Sequence, residues 1–293
     1  MKLYLECMPC IISNITETVN KYVDNPDDQY KLIQQSIKSL DGHIYAKSSA
    51  PILTERYLEV IQDAVGLEDL YSEEKDIFNK EMLDLEGDFR EFIRKSENQI
   101  ETALILSGAA NIIDFGIMQT IDKTFVKEKI LEVLENYKMS KDGHLFIEEL
   151  SKAKTLMYVG DNCGEIVLDK LVLENIKAEY PNIKIYYAVR SIPVLNDVTK
   201  EVALDIGIDE YAEIIESGAT YPGTILSRCS PQFQSLYKNA DVKILKGMGN
   251  VETAAQDEKE AYFVFMVKCK FFESKLKTKL HDVIISKGNP LYG

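Results

Sequence analysis

The sequence predicts an α/β protein in which an N-terminal all-α domain precedes a domain of βα units with a mainly parallel sheet. Before residue 150 the apolar residues recur at three- and four-residue spacing, which is typical of amphipathic helices. After Lys154, short apolar runs alternate with helical stretches, as in βα units. The chain has 293 residues, a length that favours two domains of unequal size.

The predicted helical domain covers residues 1–100 and the α/β domain residues 101–293, with the boundary between residues 96 and 154. Pro26, Gly42 and Gly66 separate the first helices, and Pro51 is well placed to begin one. The predicted helices of this half span residues 10–23, 27–39, 51–65, 73–94, 98–110 and 123–137.

Five apolar runs predict the strands of the second half. They cover residues 155–159, 183–189, 214–215, 242–245 and 262–267. Predicted helices at 165–179 and 198–206 follow the first and second runs. Parallel strands joined in this way place their carboxyl ends at one edge of the sheet, where ligands bind.

Composition excludes several classes of function. The chain carries 34 Lys and Arg against 48 Asp and Glu, a net charge of −14, which disfavours nucleic acid or an anionic membrane as the main partner. The longest apolar runs, such as 261–267, are far shorter than the ~20 residues that span a bilayer. The first ten residues lack the apolar core of a signal peptide, so we expect a cytoplasmic protein.

The five cysteines are an odd number in a long chain, and the three histidines lie far apart. A disulfide framework and a histidine zinc site are therefore not expected. The pair Cys7 and Cys10 stands at a predicted helix start without a surrounding βαβ unit, which disfavours thioredoxin-like catalysis. Burial or a local disulfide is favoured over a soft-metal site built with Cys269.

Polar residues follow the first four predicted strands. Asp161 and Asn162 follow the first run, and Asp197 lies beyond the second. Two carboxylates and an amide oxygen suit Mg²⁺ or Mn²⁺, with substrate oxygens in the remaining coordination positions. Taken alone, 161–164 is more typical of a turn that caps a helix. The joint occurrence at successive strand ends favours a functional site.

Cationic groups lie at neighbouring strand ends. Arg190 follows the second run and Lys246 ends the fourth, and both can hold a phosphoryl group. The backbone N–H groups of Ser217 and Gly218, after the third run, could add anion-binding donors. A hard metal beside Lys and Arg predicts phosphoryl chemistry.

Three segments, 160–169, 189–197 and 246–252, together resemble the signature segments of the metal-dependent damage-control phosphatases, a family first catalogued as a domain of unknown function. Residues 110–116 and the Cys7–Cys10 pair resemble its prokaryotic branch. The resemblance implies an N-terminal helical region packed on a three-layer α/β/α domain. It also implies a divalent-metal phosphatase acting on small phosphorylated metabolites, including sugar phosphates and damaged cofactor precursors, with Mn²⁺, Mg²⁺, Co²⁺ or Ni²⁺ as the candidate ion.

Carried over by motif, the resemblance implies metal ligation by Asp161, Asn162 and Asp197. The predicted catalytic residues are Asp161 and Lys246. The predicted substrate- and phosphate-binding residues are Asn111, Asp114, Glu165, Arg190, Ser217, Gly218 and Lys246. One departure stands out: Ser191 follows Arg190 where the family usually has glycine.

The predicted reaction is hydrolysis of a phosphomonoester. Asp161 either orients the attacking water or attacks phosphorus itself, and both routes stay open. One alternative is an S-adenosylmethionine-dependent carboxyl methyltransferase that uses 247–249 as a cradle, although no glycine-rich loop follows the first strand. The other is a non-catalytic metal- or metabolite-binding module. The sequence does not indicate an oligomeric state.

Overall fold

A computed structural model describes residues 3–42, 48–112 and 123–291. In these ranges the helices are α1 Cys7–Tyr22, α2 Pro26–Lys38, α3 Ala50–Val65, α4 Ser72–Lys95, α5 Gln99–Ala109, α6 Lys123–Asn136, α7 Lys141–Leu150, α8 Glu165–Glu179, α9 Lys200–Ile206, α10 Pro231–Asn239, α11 Gly247–Ala254 and α12 Lys270–Leu276. The strands are β1 Thr155–Val159, β2 Lys184–Val189, β3 Glu213–Glu216, β4 Val242–Lys246, β5 Tyr262–Met266 and β6 Val283–Lys287.

The six strands form one sheet in the order β3-β2-β1-β4-β5-β6. Strands β1 to β5 run parallel, and β6 lies antiparallel beside β5. The predicted mainly parallel sheet is therefore confirmed. The sequence patterns did not indicate β6 or the helices α7, α10, α11 and α12. Strand β6 is an edge strand whose outer residues are only partly buried.

Helices cover both faces of the sheet. Along β1, Leu156 and Tyr158 enter a core shared with α5 and α8. The alternate residues, Met157 and Val159, enter a second core shared with α10, α11 and α12. This alternation follows from the two-residue period of a strand, and it confirms the three-layer architecture.

The apolar run 261–267 contains strand β5. All five of its residues are buried, since it lies between β4 and β6 and is covered on both faces. In the ranges the structure describes, no helix is both long and apolar enough to cross a membrane.

The first three helices have a core of their own. Ile15, Tyr57 and Ile61 are buried there, and Val194 joins them from the loop after β2. Helix α4, in contrast, packs against α8 beside the sheet. The predicted boundary between residues 96 and 154 stays a prediction.

Candidate active site

The sheet order places a crevice between β1 and β4. From β1 the chain continues to β2 and β3 on one side, whereas β4 lies on the other side. The loops after two such strands diverge, and ligands bind at this switch point in open α/β sheets. Asp161 and Asn162 follow β1, and Lys246 ends β4.

The backbone locks the loop after β1 to the loop after β2. Asn162 forms an isolated antiparallel bridge with Asp197. The Val198 N–H donates to the Asp161 carbonyl at 2.9 Å, and the Cys163 N–H donates to the Asn196 carbonyl at 2.8 Å. The three predicted metal ligands, 36 positions apart at the extremes, are thus held in one place.

Asp161 sits in a close-fitting position with 7% of its surface exposed. Its Oδ2 accepts hydrogen bonds from Nδ2 of Asn162 at 2.7 Å and of Asn111 at 3.2 Å. Gly247 adopts a left-handed φ of +77°, and a Cβ there would overlap the Asp161 carboxylate. Only glycine lets the first turn of α11 approach Asp161 so closely.

Arg190 holds the third predicted ligand. Its Nε donates to Asp197 Oδ2 at 2.6 Å, and both side chains are almost fully buried. The two Nη nitrogens of Arg190 are buried without a hydrogen-bond partner among the described residues. Each such group costs about 1–3 kcal/mol, so the orphaned N–H groups point to a ligand that completes them.

We call the loop after β1, residues 160–164, the metal loop. Beside it Lys246 belongs to what we call the inner cluster, formed by Lys246, Glu165, Asp169, Ser107, Tyr158 and Tyr187. Lys246 is 0% exposed, and its ammonium pairs with Glu165 and, at 2.8 Å, with Asp169. Asp169 also accepts hydrogen bonds from three hydroxyl groups at 2.5–2.8 Å, those of Ser107, Tyr158 and Tyr187. The inner cluster is fully hydrogen-bonded.

Burial raises the pKa values of the carboxyl groups at this edge of the sheet. Burial, followed by the charges of Asp197 and Glu165, raises the pKa of Asp161 well above its ordinary value. Burial also raises the pKa of Asp197, against the opposing effect of Arg190. The four buried carboxyl groups here are those of Asp161, Asp197, Glu165 and Asp169, and the two cations buried with them are Arg190 and Lys246. With all four carboxyl groups ionised, negative charges would exceed positive charges by two, which equals the charge of a divalent cation.

The donor set fits such a cation. The Asn162 amide nitrogen is held by Asp161 at 2.7 Å and by Glu165 at 3.4 Å, which leaves its carbonyl oxygen for an ion. Oxygen ligands from two carboxylates and an amide suit Mg²⁺ and Mn²⁺. In the described ranges no group of three His, Cys, Asp or Glu side chains forms a metal site. The candidate ligand set has only two carboxylates, and its third member is the amide oxygen of Asn162.

The remaining predicted residues differ in their surroundings. The Ser217 N–H donates to the Val189 carbonyl at 2.9 Å, and the Gly218 N–H donates to Ser191 Oγ at 2.8 Å. Those two groups therefore point at protein atoms, and their anion-binding role stays a prediction. Ser191, the departure from the family pattern, ties the loop after β2 to the loop after β3. Asp114 lies outside the described residues.

Two residues of the site were not predicted. Asn79 on α4 accepts the Gly164 N–H at 2.7 Å and so supports the metal loop from the helical side. Lys268 lies two residues beyond β5, and its charge favours the ionised forms of Asp161 and Glu165. The strand-end rule, applied to the fifth apolar run, would have found Lys268; no sequence signal marks Asn79.

The cysteines are all free thiols. Cys7 is half-buried, and burial raises its pKa to about 11, while Cys10, one helical turn later, is exposed. The prediction of burial thus does not hold for Cys10, and the structure contains no disulfide between the two. Cys163 is buried in the core that α5 and α8 share with the sheet.

Comparisons with known proteins show which family, sequences and structure this chain resembles. The sequence model of a family described as the damage-control phosphatase ARMT1-like domain matches residues 3–284. An uncharacterised protein of Methanocaldococcus jannaschii is 30% identical, over 98% of this chain and 96% of its own length. A damage-control phosphatase of Pyrococcus horikoshii is 26% identical, over 94% of this chain and 95% of its own length.

Two further relatives extend the comparison. A damage-control phosphatase of Archaeoglobus fulgidus is 25% identical over 97% of this chain and 98% of its own. A crystal structure of a DUF89 family protein from Pyrococcus horikoshii superposes with a TM-score of 0.89 at 24% identity, covering 98% of this chain and 99% of that one. That structure shows the same fold.

Proposed function

Because this chain belongs to the family of the damage-control phosphatase ARMT1-like domain, we propose that it is a divalent-metal-dependent phosphatase that hydrolyses small phosphomonoesters. Its substrates would be sugar phosphates or damaged phosphometabolites. The observation that carries the proposal is the meeting of Asp161, Asn162 and Asp197 in a buried site where four carboxyl groups lie with two cations.

Asp161, Asn162 and Asp197 would hold Mn²⁺, Mg²⁺, Co²⁺ or Ni²⁺ through their oxygen atoms. When bound, the ion would polarise a phosphoryl oxygen and offset the charge of the leaving oxygen. Arg190 keeps Asp197 oriented through the Nε hydrogen bond. Its two orphaned Nη groups would donate to oxygens of the phosphoryl group.

The role of Lys246 follows from its partners. Its ammonium pairs with Glu165 and Asp169 and donates to Ser107 Oγ, so it compensates buried carboxylates. Direct contact with phosphate, as predicted from the sequence, would require it to exchange one of these partners. Asp161 would orient the attacking water or attack phosphorus directly; only the second route leaves a trappable aspartyl phosphate.

The test is metal-dependent release of phosphate from p-nitrophenyl phosphate and from sugar phosphates. We expect release with at least one of the four ions and none after chelation. Asp161→Asn should be inactive yet folded, whereas Asp205→Asn, the same change at an exposed position of α9, should be fully active. Binding of S-adenosylmethionine without phosphate release would instead favour the methyltransferase, and metabolite binding without either activity would favour a binding module.

A further inference from the structure

Strand β6 lies at the end of the sheet, with β5 antiparallel on its inner side. Hydrogen bonds at the two ends of this pair show which backbone groups face inward. The Val267 N–H donates to the Asp282 carbonyl at 2.9 Å, and the Gly288 N–H donates to residue 261 at the same distance. Because the pattern repeats every second residue, the even-numbered residues of β6 bond β5, and the odd-numbered residues direct their N–H and C=O groups outward.

Side chains at the start of α7 cover part of this outer edge. Ser140 Oγ donates to the Ile285 carbonyl at 2.9 Å, and the Lys287 N–H donates to Asp142 Oδ2 at 2.9 Å. Both contacts agree with the outward direction of the odd-numbered residues. In the described ranges the N–H and C=O of Val283 and the N–H of Ile285 have no hydrogen-bond partner on this side. Such open backbone groups are a template for another extended chain.

A groove of about 670 Å³ lies beside the open part of the edge. One wall comes from the last turns of α6 and the residues after it, within 129–138, and the other from residues 278–284. We call it the β6 groove. Its volume is within the range of ligand pockets, roughly 300–1,000 Å³. Because the α7 side chains already occupy the edge from the carbonyl of residue 285 onward, the β6 groove offers room for a short extended segment only.

The β6 groove is basic, although the chain has a net charge of −14. Three lysines and a histidine line it, against two acidic residues. Glu132 pairs with Lys129 at 2.6 Å, and Asp282 accepts the backbone N–H of Lys279 at 2.9 Å. Among the described residues the ammonium groups of Lys138 and Lys279 form no ion pair. The surplus of positive charge and the two unpaired ammonium groups favour an acidic occupant.

We propose that the β6 groove binds a short, extended, acidic peptide segment of a partner protein, which adds to the sheet as a strand. The N–H and C=O of Val283 and the N–H of Ile285 bond the backbone of the peptide, and its acidic side chains contact Lys138 and Lys279. In this mode of recognition main-chain hydrogen bonds supply the affinity and the side chains supply the specificity. The proposal is independent of the phosphatase activity, since the groove lies on the outer side of β6.

Amide hydrogen exchange, followed by NMR on the full chain, tests whether the edge is open. In the free protein the amides of Val283 and Ile285 should exchange about 10-fold or more faster than those of Ile284 and Ser286, which bond β5. Equal protection of all four amides would show that the edge is already covered and overturns the proposal. Protection that rises with protein concentration would identify a second copy as the occupant and overturns it as well.

The binding probe is a blocked five-residue peptide of alternating glutamate and valine, and its control has lysine in place of glutamate. The acidic peptide should slow exchange at Val283 and Ile285, and the basic control should bind at least about 10-fold more weakly. Because N–H groups alternate between the two edges of a strand, N-methylation of only the valines or only the glutamates should abolish binding in one case and spare it in the other. Equal effects of the two methylation patterns overturn the added strand. No binding by the acidic peptide would leave the lysines as guards of an exposed edge and overturns the proposal.

Charge reversal tests the acidic character of the occupant. Combining Lys138→Glu with Lys279→Glu should weaken binding of the acidic peptide about 10-fold, because two attractions become repulsions. The control combines Lys31→Glu with Lys80→Glu, the same change of net charge at exposed positions of α2 and α4, and should bind like the parent. Unchanged affinity in the groove variant, or an equal loss in the control, contradicts the assignment.

Discussion

The inner cluster and the metal loop lie side by side but differ in how completely their buried polar groups are hydrogen-bonded. In the inner cluster Asp169 accepts four hydrogen bonds, and the Lys246 ammonium is completely paired. Around the metal loop, the Arg190 guanidinium has two orphaned nitrogens. Burial raises the pKa of Asp161 and Asp197 there, as it does that of Glu165 in the inner cluster. A buried polar group that is fully satisfied supports a structure, whereas one that is left unsatisfied is available to a ligand.

Replacing Asp161 should produce the largest effect on activity. Asp161→Asn removes a predicted metal ligand, so we expect a loss on the order of 10³-fold in phosphate release, comparable with removing a main electrostatic group. Because burial opposes the ionisation of Asp161, the metal-free variant should unfold at a higher temperature than the parent at a pH where Asp161 is ionised. A lower melting temperature would show that the metal loop is not electrostatically strained.

Replacing Lys246 should lower the stability of the protein, in contrast to the replacement of Asp161. Lys246→Met leaves Glu165 and Asp169 buried without a cation, and breaking such a pair costs about 3–5 kcal/mol in free energy of unfolding. Lys243→Met is the control, because Lys243 lies on the same strand but is only partly buried. Urea denaturation measures both. Equal stability of the two variants would contradict the structural role assigned to the inner cluster.

Gly247→Ala tests the close approach of α11 to Asp161. The added Cβ meets the Asp161 carboxylate, and the φ of +77° disfavours alanine, so the carboxylate must move. We expect about a 10- to 100-fold loss of metal affinity, as for residues that orient metal ligands. Gly87→Ala, in α4 with nothing near its Cβ, should leave metal binding unchanged and slightly raise stability.

The smallest expected effect is the change of stability with pH in the metal-free protein. Carboxyl groups whose folded pKa is raised contribute stability that is fully present below their unfolded pKa and is lost as pH rises through the folded pKa. Urea denaturation between about pH 5 and 8 should therefore show stability falling with pH, less steeply in Asp161→Asn. Burial raises the pKa of Glu252 to about 7, so Glu252→Gln separates its contribution. Stability that rises with pH would contradict the direction of these shifts.

Sequence patterns predicted the elements that carry the site. The apolar runs at 155–159 and 242–245 match β1 and β4 closely, because a buried parallel strand needs a continuous apolar run. Because ligands bind at the carboxyl ends of parallel strands, we predicted that Asp161, Asn162 and Asp197 lie close together. The structure places the three residues together.

The partners of individual charges could not be predicted in the same way. The contacts of Lys246 with Glu165 and Asp169 join positions about 80 residues apart, and Asn79 reaches Gly164 from a different helix. Periodicity reports whether a position is buried, but not which side chain from another element fills the space beside it.

From the chain of residues alone one can therefore read the layer architecture, the edge of the sheet that binds ligands and the oxygen-rich composition of the metal loop, since these follow from local periodicity and strand direction. Packing between distant elements decides that Lys246 is paired with buried carboxylates whereas Lys268 is partly exposed to solvent. That distinction between Lys246 and Lys268 depends on a few ångströms of side-chain placement, which no local pattern encodes.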